Sequence, residues 1–209
     1  HGAWAYLGRQ IKARVKAPVA QGMRMNIEKA EELVDRGDFD AIVMGRPFLA
    51  DPDVVNKAEA GKASTIRPCV GCNAKCLDMA MVSKPIGCIG NYECNREEEL
   101  EDENGLMPTE KKSEHPEKIL VIGAGPAGME FARVAALRGH KVTIWEKRNR
   151  TIGLSLYAAT PPRRYDIRYF GQWLERTCRE LGMGLQPRDD QPESIRQLRK
   201  CVLEFIQEL

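Results

Sequence analysis

Five apolar-rich residues, Lys118-Ile-Leu-Val-Ile122, run directly into Gly123-x-Gly125-x-x-Gly128, and no other stretch restricts the fold as much. The run reads as a buried strand, and the apolar periodicity that follows, through Leu137, reads as a helix. Each glycine answers a separate steric demand. Gly123 permits the tight turn, Gly125 lets the backbone approach a pyrophosphate, and Gly128 lets helix and strand pack closely. The helix N-terminus, opened by Pro126 and Ala127, adds free N–H groups and the positive end of a dipole. Gly139 stops the helix, Lys141-Val-Thr-Ile-Trp145 is the next strand, and Glu146 closes it, 18 residues past Gly128. A carboxylate there suits the ribose of an adenine nucleotide and would repel a 2′-phosphate.

Immediately upstream stand Cys69, Cys72, Cys76 and Cys88, spaced C-x2-C-x3-C-x11-C. Three cysteines in one short loop can wrap one face of a metal centre, with backbone N–H groups aimed at the sulfurs. Cys88 would supply the fourth corner, with Gly87 giving the backbone room. The spacing admits an iron–sulfur cluster or a structural zinc; a zinc site more often shows two C-x-x-C pairs, and only one is present. Cys94 is spare, while Cys178 and Cys201 fall on helical apolar stripes and read as core residues. A soft-metal site beside a dinucleotide site points to electron transfer. Crowded cysteines at metal-like spacing fit reduced thiolates in the cytoplasm, not a secreted disulfide scaffold.

Charge excludes some partners. Lys+Arg (32) nearly balance Asp+Glu (30), so a net charge of +2 gives nucleic acid or a membrane surface no bulk attraction. No apolar run approaches the ~18 residues of a membrane helix, and no signal peptide is visible.

The first 64 residues alternate as parallel α/β folds do. Ala3–Val15 reads as a helix with Trp4, Leu7, Ile11 and Val15 on its inward face. Pro18–Gln21 is a strand, and Asn26 caps a helix to about Asp35 with Ile27, Ala30, Leu33 and Val34 inward. Asp40–Met44 is a second strand, closed by Gly45-Arg46-Pro47, and Asp51-Pro52 starts another helix. Two strands cannot close a barrel, which takes eight and about 250 residues, so we expect upstream partners before His1. Gly22-Met23-Arg24 and Gly45-Arg46 end successive strands, where barrels of this kind place a phosphate site. Residues 65–96 carry the cysteines, 97–117 form a charged linker, and 118–209 form a partial Rossmann-like domain. That domain includes a helix from Asp166 to Leu181 and a tail with Ile195, Leu198, Val202, Phe205 and Leu209 at helical spacing. No acid–base or nucleophilic constellation is visible, and catalytic residues stay unassigned.

Taken together, Gly22-Met-Arg24, Asp40-Ala-Ile-Val-Met-Gly-Arg-Pro47, Leu49-Ala-Asp-Pro-Asp53 and Arg67-Pro-Cys-Val-Gly-Cys-Asn-Ala-Lys-Cys-Leu77 resemble the iron–sulfur branch of the old yellow enzyme family. Bacterial 2,4-dienoyl-CoA reductase and trimethylamine dehydrogenase are its best-known members. The resemblance runs from His1 to about Gly182. It implies that residues 1–64 are the C-terminal part of an FMN-binding TIM barrel, with the FMN phosphate at Gly22, Met23, Arg24, Gly45 and Arg46. It implies a [4Fe-4S] cluster on the four cysteines, and FAD or ADP on Gly123, Gly125, Pro126, Ala127, Gly128 and Glu146. Tyr92 stands where the family has a proline, and of its second flavin-domain glycine pair only Gly153 is present.

The function so implied is a segment of a flavin- and iron–sulfur-dependent oxidoreductase acting on a small molecule. Electrons would pass between FMN, the cluster and a second nucleotide cofactor, with NAD(P)H or an electron-transfer flavoprotein as redox partner. On its own the segment is expected to be inactive. The alternatives are a nucleotide-binding module with a structural metal and no turnover, or a truncated gene piece.

Overall fold

A computed structural model describes residues 2–148, 150–162 and 164–187; the helical tail expected from Ile195 to Leu209, with Cys201, lies outside them. The chain divides into two compact units, His1–Leu100 with Arg163–Trp173 and Glu101–Pro162 with Leu174–Leu209.

The first unit is built on helix α1 (Ala5–Lys12), strand β1 (Ala20–Gln21), helix α2 (Ile27–Asp35) and strand β2 (Ala41–Ile42). The strands pair in parallel, Ala20 opposite Ala41 and Gln21 opposite Ile42. Asn26 caps α2 as its sequence demands, its side chain accepting from Lys29 N at 3.3 Å. Gly37 then stops α2 in a left-handed turn: Asp38 N reaches Leu33 O and Gly37 N reaches Val34 O. Leu33, Phe39, Met25 and Ala5 form the buried core, with Val19, Ile42 and Met44 against it. Each large side chain so buried stabilises by roughly 1.5–3 kcal/mol.

Four expectations need correction here, the first being Val34, which is exposed on α2 and not inward. The Trp4, Leu7, Ile11 and Val15 stripe is exposed, and α1 buries Ala5 and Gly8 instead. The small face packs because a Cβ at Gly8 would overlap the Phe39 ring and Gln21 Oε1; close approach of the backbone wins over side-chain size. The turn expected at Gly45-Arg46-Pro47 continues as helix α3 (Arg46–Ala50), since Pro47 sits in its first turn where no N–H is needed. Helix α4 (Val54–Glu59) begins later than expected, with Asp53 at its N-cap. Asp51, buried, instead accepts from Asp53 N, from Lys57 Nζ and from Arg67 N. Helices α5 (Leu77–Met81) and α6 (Glu97–Leu100) are short pieces in the cysteine segment and after it.

The second unit holds a three-stranded parallel sheet, β3 (Lys118–Ile122), β4 (Lys141–Glu146) and β5 (Gly184–Pro187), in that order. Helix α7 (Pro126–Leu137) crosses from β3 to β4. The short helix α8 (Ser155–Ala158) precedes α9 (Tyr165–Glu180). Val121, Met129, Ala132, Ala135, Val142, Ile144, Leu174 and Cys178 are buried, the apolar pattern that two parallel strands and two covering helices require. Residues of α9 up to Trp173 belong to the first unit, and those from Leu174 onward to the second.

Candidate cofactor sites

In the first unit the loop from Cys69 to Cys76 is curled by two left-handed residues, Gly71 (φ +64°) and Asn73 (φ +63°). The curl aims Gly71 N at Cys69 Sγ, 3.4 Å away. Cys76 then caps α5, its carbonyl accepting from Ala80 N. The second cysteine segment is tied alongside by Gly87 N, which donates to Lys75 O at 2.9 Å. That single bond joins the residues just before Cys76 and just before Cys88. Burial pushes the Cys69 thiol above its ordinary range; the Gly71 N–H and the Arg46 charge oppose this, and Cys88 and Cys76 add to it. Cys69, Cys76 and Cys88 therefore share one electrostatic neighbourhood, each half-buried, while Cys72 is exposed.

Cys94, spare in the sequence, is buried nearby, its thiol pushed up by burial and then by Cys88, Glu97 and Cys76. A cleft of about 620 Å³ opens beside Cys88 and Cys94, with Lys75, Met79, Tyr92 and Arg96 on its walls. Among the described residues no three His, Cys, Asp or Glu side chains are grouped closely enough for a single metal ion. A cubane makes a different demand, because each thiolate binds a different iron and the four sulfurs stand farther apart. Donor type, the N–H on sulfur and the Arg46 charge all suit an anionic thiolate centre.

Three buried residues that sequence reasoning did not assign hold the two cysteine segments together. Arg67, two residues before Cys69, donates through Nη1 to Gly90 O at 2.8 Å and to Asn91 Oδ1 at 3.0 Å. Asn91 Nδ2 donates to Leu49 O at 3.1 Å, and Asp51 Oδ2 accepts from Arg67 N at 2.8 Å. Trp173 covers the clamp: the Arg67 guanidinium lies 5.0 Å from its ring centroid, and its Nε1 donates to Thr65 O. Phe170 stacks on Trp173 and meets the bare Cα of Gly90. An arginine beside the first cysteine was the available signal; the aromatic cover, about a hundred residues on, gave none.

Gly22 and Gly45 follow the neighbouring parallel strands β1 and β2, so both strand ends lie side by side. Met23 (φ +75°) and Arg24 (φ +47°) hold left-handed conformations that cost a non-glycine residue about 1–3 kcal/mol each. Gly45 is the N-cap of α3. Both arginine side chains turn to the cysteine loop. Arg46 Nη1 donates to Asn73 Oδ1 at 2.6 Å, and Arg24 pairs with Asp166 while lying on Gly71.

In the second unit the glycine turn has the form its sequence requires. Gly123 is left-handed at φ +101°, Gly125 is the extended N-cap of α7, and a Cβ at Gly128 would overlap Gly123 O. Pro126 and Ala127 form the first turn of α7. Glu146 folds back over the turn: Oε2 accepts from Ala124 N at 2.7 Å and Oε1 from Arg148 N at 2.9 Å. Ile152 N donates to Ala124 O, and Gly153 packs on Gly125. The carboxylate and the first-turn N–H groups of α7 thus lie at the C-terminal ends of β3 and β4, where a pyrophosphate and a ribose can be held. Cys178, expected in the core, is fully buried, and its S–H donates to Met129 O.

Residues 121–180 match the NAD(P)-binding Rossmann-like domain family. The chain is 48% identical over 186 residues to a metal reductase of Desulforamulus reducens, covering 88% of this chain and 27% of that protein. It is 37% identical to a bilirubin reductase of Mediterraneibacter gnavus, covering 85% and 27%. The structure of a 2-naphthoyl-CoA reductase bound to 2-naphthoyl-CoA superposes with a TM-score of 0.79 at 33% identity, covering 89% of this chain and 28% of that one. The chain spans about a quarter of the length of the curated relatives it matches. Among the described residues no helix is long and apolar enough to cross a membrane. Agreement of sequence and backbone over nearly all of this α/β chain makes it a partial-length member of the iron–sulfur branch of the old yellow enzyme family, whose named members here are oxidoreductases.

Proposed function

We propose that this chain is the electron-transfer segment of a flavin- and iron–sulfur-dependent oxidoreductase of small molecules. Residues 1–64 are the end of an FMN barrel, 65–96 the cluster segment, 97–117 a linker and 118–209 the start of a nucleotide domain. The observation that carries the reading is the curled loop itself, with Gly71 N on the Cys69 sulfur and with Gly87 N donating to Lys75 O, which ties the segment of Cys88 alongside that of Cys76. Cys72 completes the set of four.

A [4Fe-4S] cluster and flavins supply the one- and two-electron chemistry when bound. The chain's own residues do the holding. Cys69, Cys72, Cys76 and Cys88 are the ligands, and the Arg67–Asn91 clamp fixes the distance between their segments. Backbone groups at Gly22, Met23 and Gly45 take the flavin phosphate beside Arg24 and Arg46. Gly123, Gly125, Pro126, Ala127 and Gly128 bring the α7 N-terminus to a pyrophosphate, and Glu146 takes the ribose of FAD or ADP. NAD(P)H or an electron-transfer flavoprotein is the redox partner, and the reduced thiolates fit the cytoplasm.

Anaerobic purification followed by iron, sulfide and zinc analysis tests the reading. We expect about four irons and four sulfides per chain, as a [4Fe-4S] cluster requires, and a paramagnetic signal on reduction with dithionite. Stoichiometric zinc with no iron would overturn it.

A further inference from the structure

Arg24 and Arg46 leave neighbouring strand ends, yet both guanidinium groups finish on the cysteine loop, at its two left-handed residues. Arg46 bonds Asn73. Arg24 lies on Gly71, where a Cβ would come within 2.6 Å of its Nη2 and 3.0 Å of its Cζ. The same Arg24 Nη2 donates to Asp166 Oδ2, and Asp166 is buried in the first turn of α9. One cation on the loop is thus paired with a carboxylate 142 residues away in sequence, while the other is bonded to an amide.

We propose that Asp166 is a positioning residue that sets the reduction potential of the centre held by this loop, by offsetting the Arg24 charge on Gly71. The inference rests on the proposed function above, that the loop holds an iron–sulfur cluster. Reduction adds one electron to a centre that is already anionic and moves no bond or proton. A nearby cation favours the reduced form and a nearby carboxylate opposes it. Asp166 therefore keeps the potential lower than Arg24 alone would set it. Nothing in the cysteine spacing encodes this, because Asp166 lies outside every motif in the chain.

The test is potentiometric titration of the anaerobically purified chain with dithionite and redox dyes, followed by paramagnetic resonance, in wild type, Asp166→Asn, Asp166→Glu and Arg24→Met. The amide introduced by Asp166→Asn still offers an oxygen to Arg24 but no charge. We expect D166N to raise the reduction equilibrium constant about tenfold, about 59 mV for a one-electron couple, R24M to lower it, and D166E to stay near wild type. Equal iron content in all four shows that the shift is not cluster loss. Shifts of the same sign in D166N and R24M, no shift with the cluster retained, or cluster loss in D166N alone would each overturn the role of Asp166. A wild-type chain without iron and sulfide instead sinks the cluster reading itself, so the two failures are distinguishable.

Discussion

Replacing Arg67 with methionine tests whether the buried clamp, and not the cysteine loop alone, sets the local structure. Methionine keeps much of the length and none of the charge. The variant loses two bonds from a charged donor, to Gly90 O and Asn91 Oδ1, each contributing about 1.5–3 kcal/mol. It also loses the cation over Trp173, about 0.5–2 kcal/mol. Part of that sum returns because a buried charge no longer has to be desolvated. Asn91 Oδ1 keeps a partner in Glu93 N, and the Arg67 backbone keeps its bond to Asp51. The balance is a loss of about 3 kcal/mol in the first unit, chiefly from the carbonyl of Gly90 left short of a donor. For a unit of this size that lowers the melting temperature by roughly 13 °C. Thermal unfolding followed by tryptophan fluorescence reads it directly, since Trp173 covers the clamp. Arg67→Lys should fall between wild type and R67M, because an ammonium reaches one acceptor where the guanidinium fork reaches two. Iron release to a chelator should quicken in the same order. An R67M variant within about 1 kcal/mol of wild type, with Asn91→Ala equally silent, would refute the reasoning.

Three other outcomes follow from single contacts. Gly128→Ala places a methyl group on the carbonyl oxygen of Gly123 and within 3.3 Å of Val121 Cγ1; we expect a loss of about 2–3 kcal/mol in the second unit and of ADP binding in a calorimetric titration. Burial, with Glu130 adding to it, pushes the Cys178 thiol up to about 12 from an ordinary 9.0. The folded state holds that proton longer than the unfolded chain, so its contribution is complete below about pH 9 and is lost between about pH 9 and 12, at about 1.4 kcal/mol per pH unit. Denaturant titrations should therefore show a steeper decline in that window for wild type than for Cys178→Ala, and parallel profiles would refute the assignment. Asn26→Ala removes the acceptor for Lys29 N at the start of α2 and should cost about 1 kcal/mol in the same titration.

What the sequence makes legible is what a few adjacent residues decide among themselves. Gly123, Gly125 and Gly128 each solve a local steric problem, so the turn, the strand before it and the helix after it can be read from residues 118–137. The start of α2 at Asn26 and its stop at Gly37 are equally local. The stripe on α1 misleads because helical spacing says that Trp4, Leu7, Ile11 and Val15 share a face, not that the face is covered. Ala5 and Gly8 are buried because Phe39, on another segment, needs their lack of bulk.

The arginines show the limit most clearly. Their place after β1 and β2 identifies a strand-end site, and the backbone at Gly22 and Gly45 does lie at one end of a parallel pair. Their side chains, however, finish on Gly71 and Asn73, and one of them meets Asp166. Position along the chain fixes where a backbone N–H points, because that follows from local dihedral angles. Where a long side chain ends depends on which distant segment leaves a bare Cα or an amide within reach. A single arginine can thus lend its backbone to one site and its charge to another, and only the second assignment needs the folded chain.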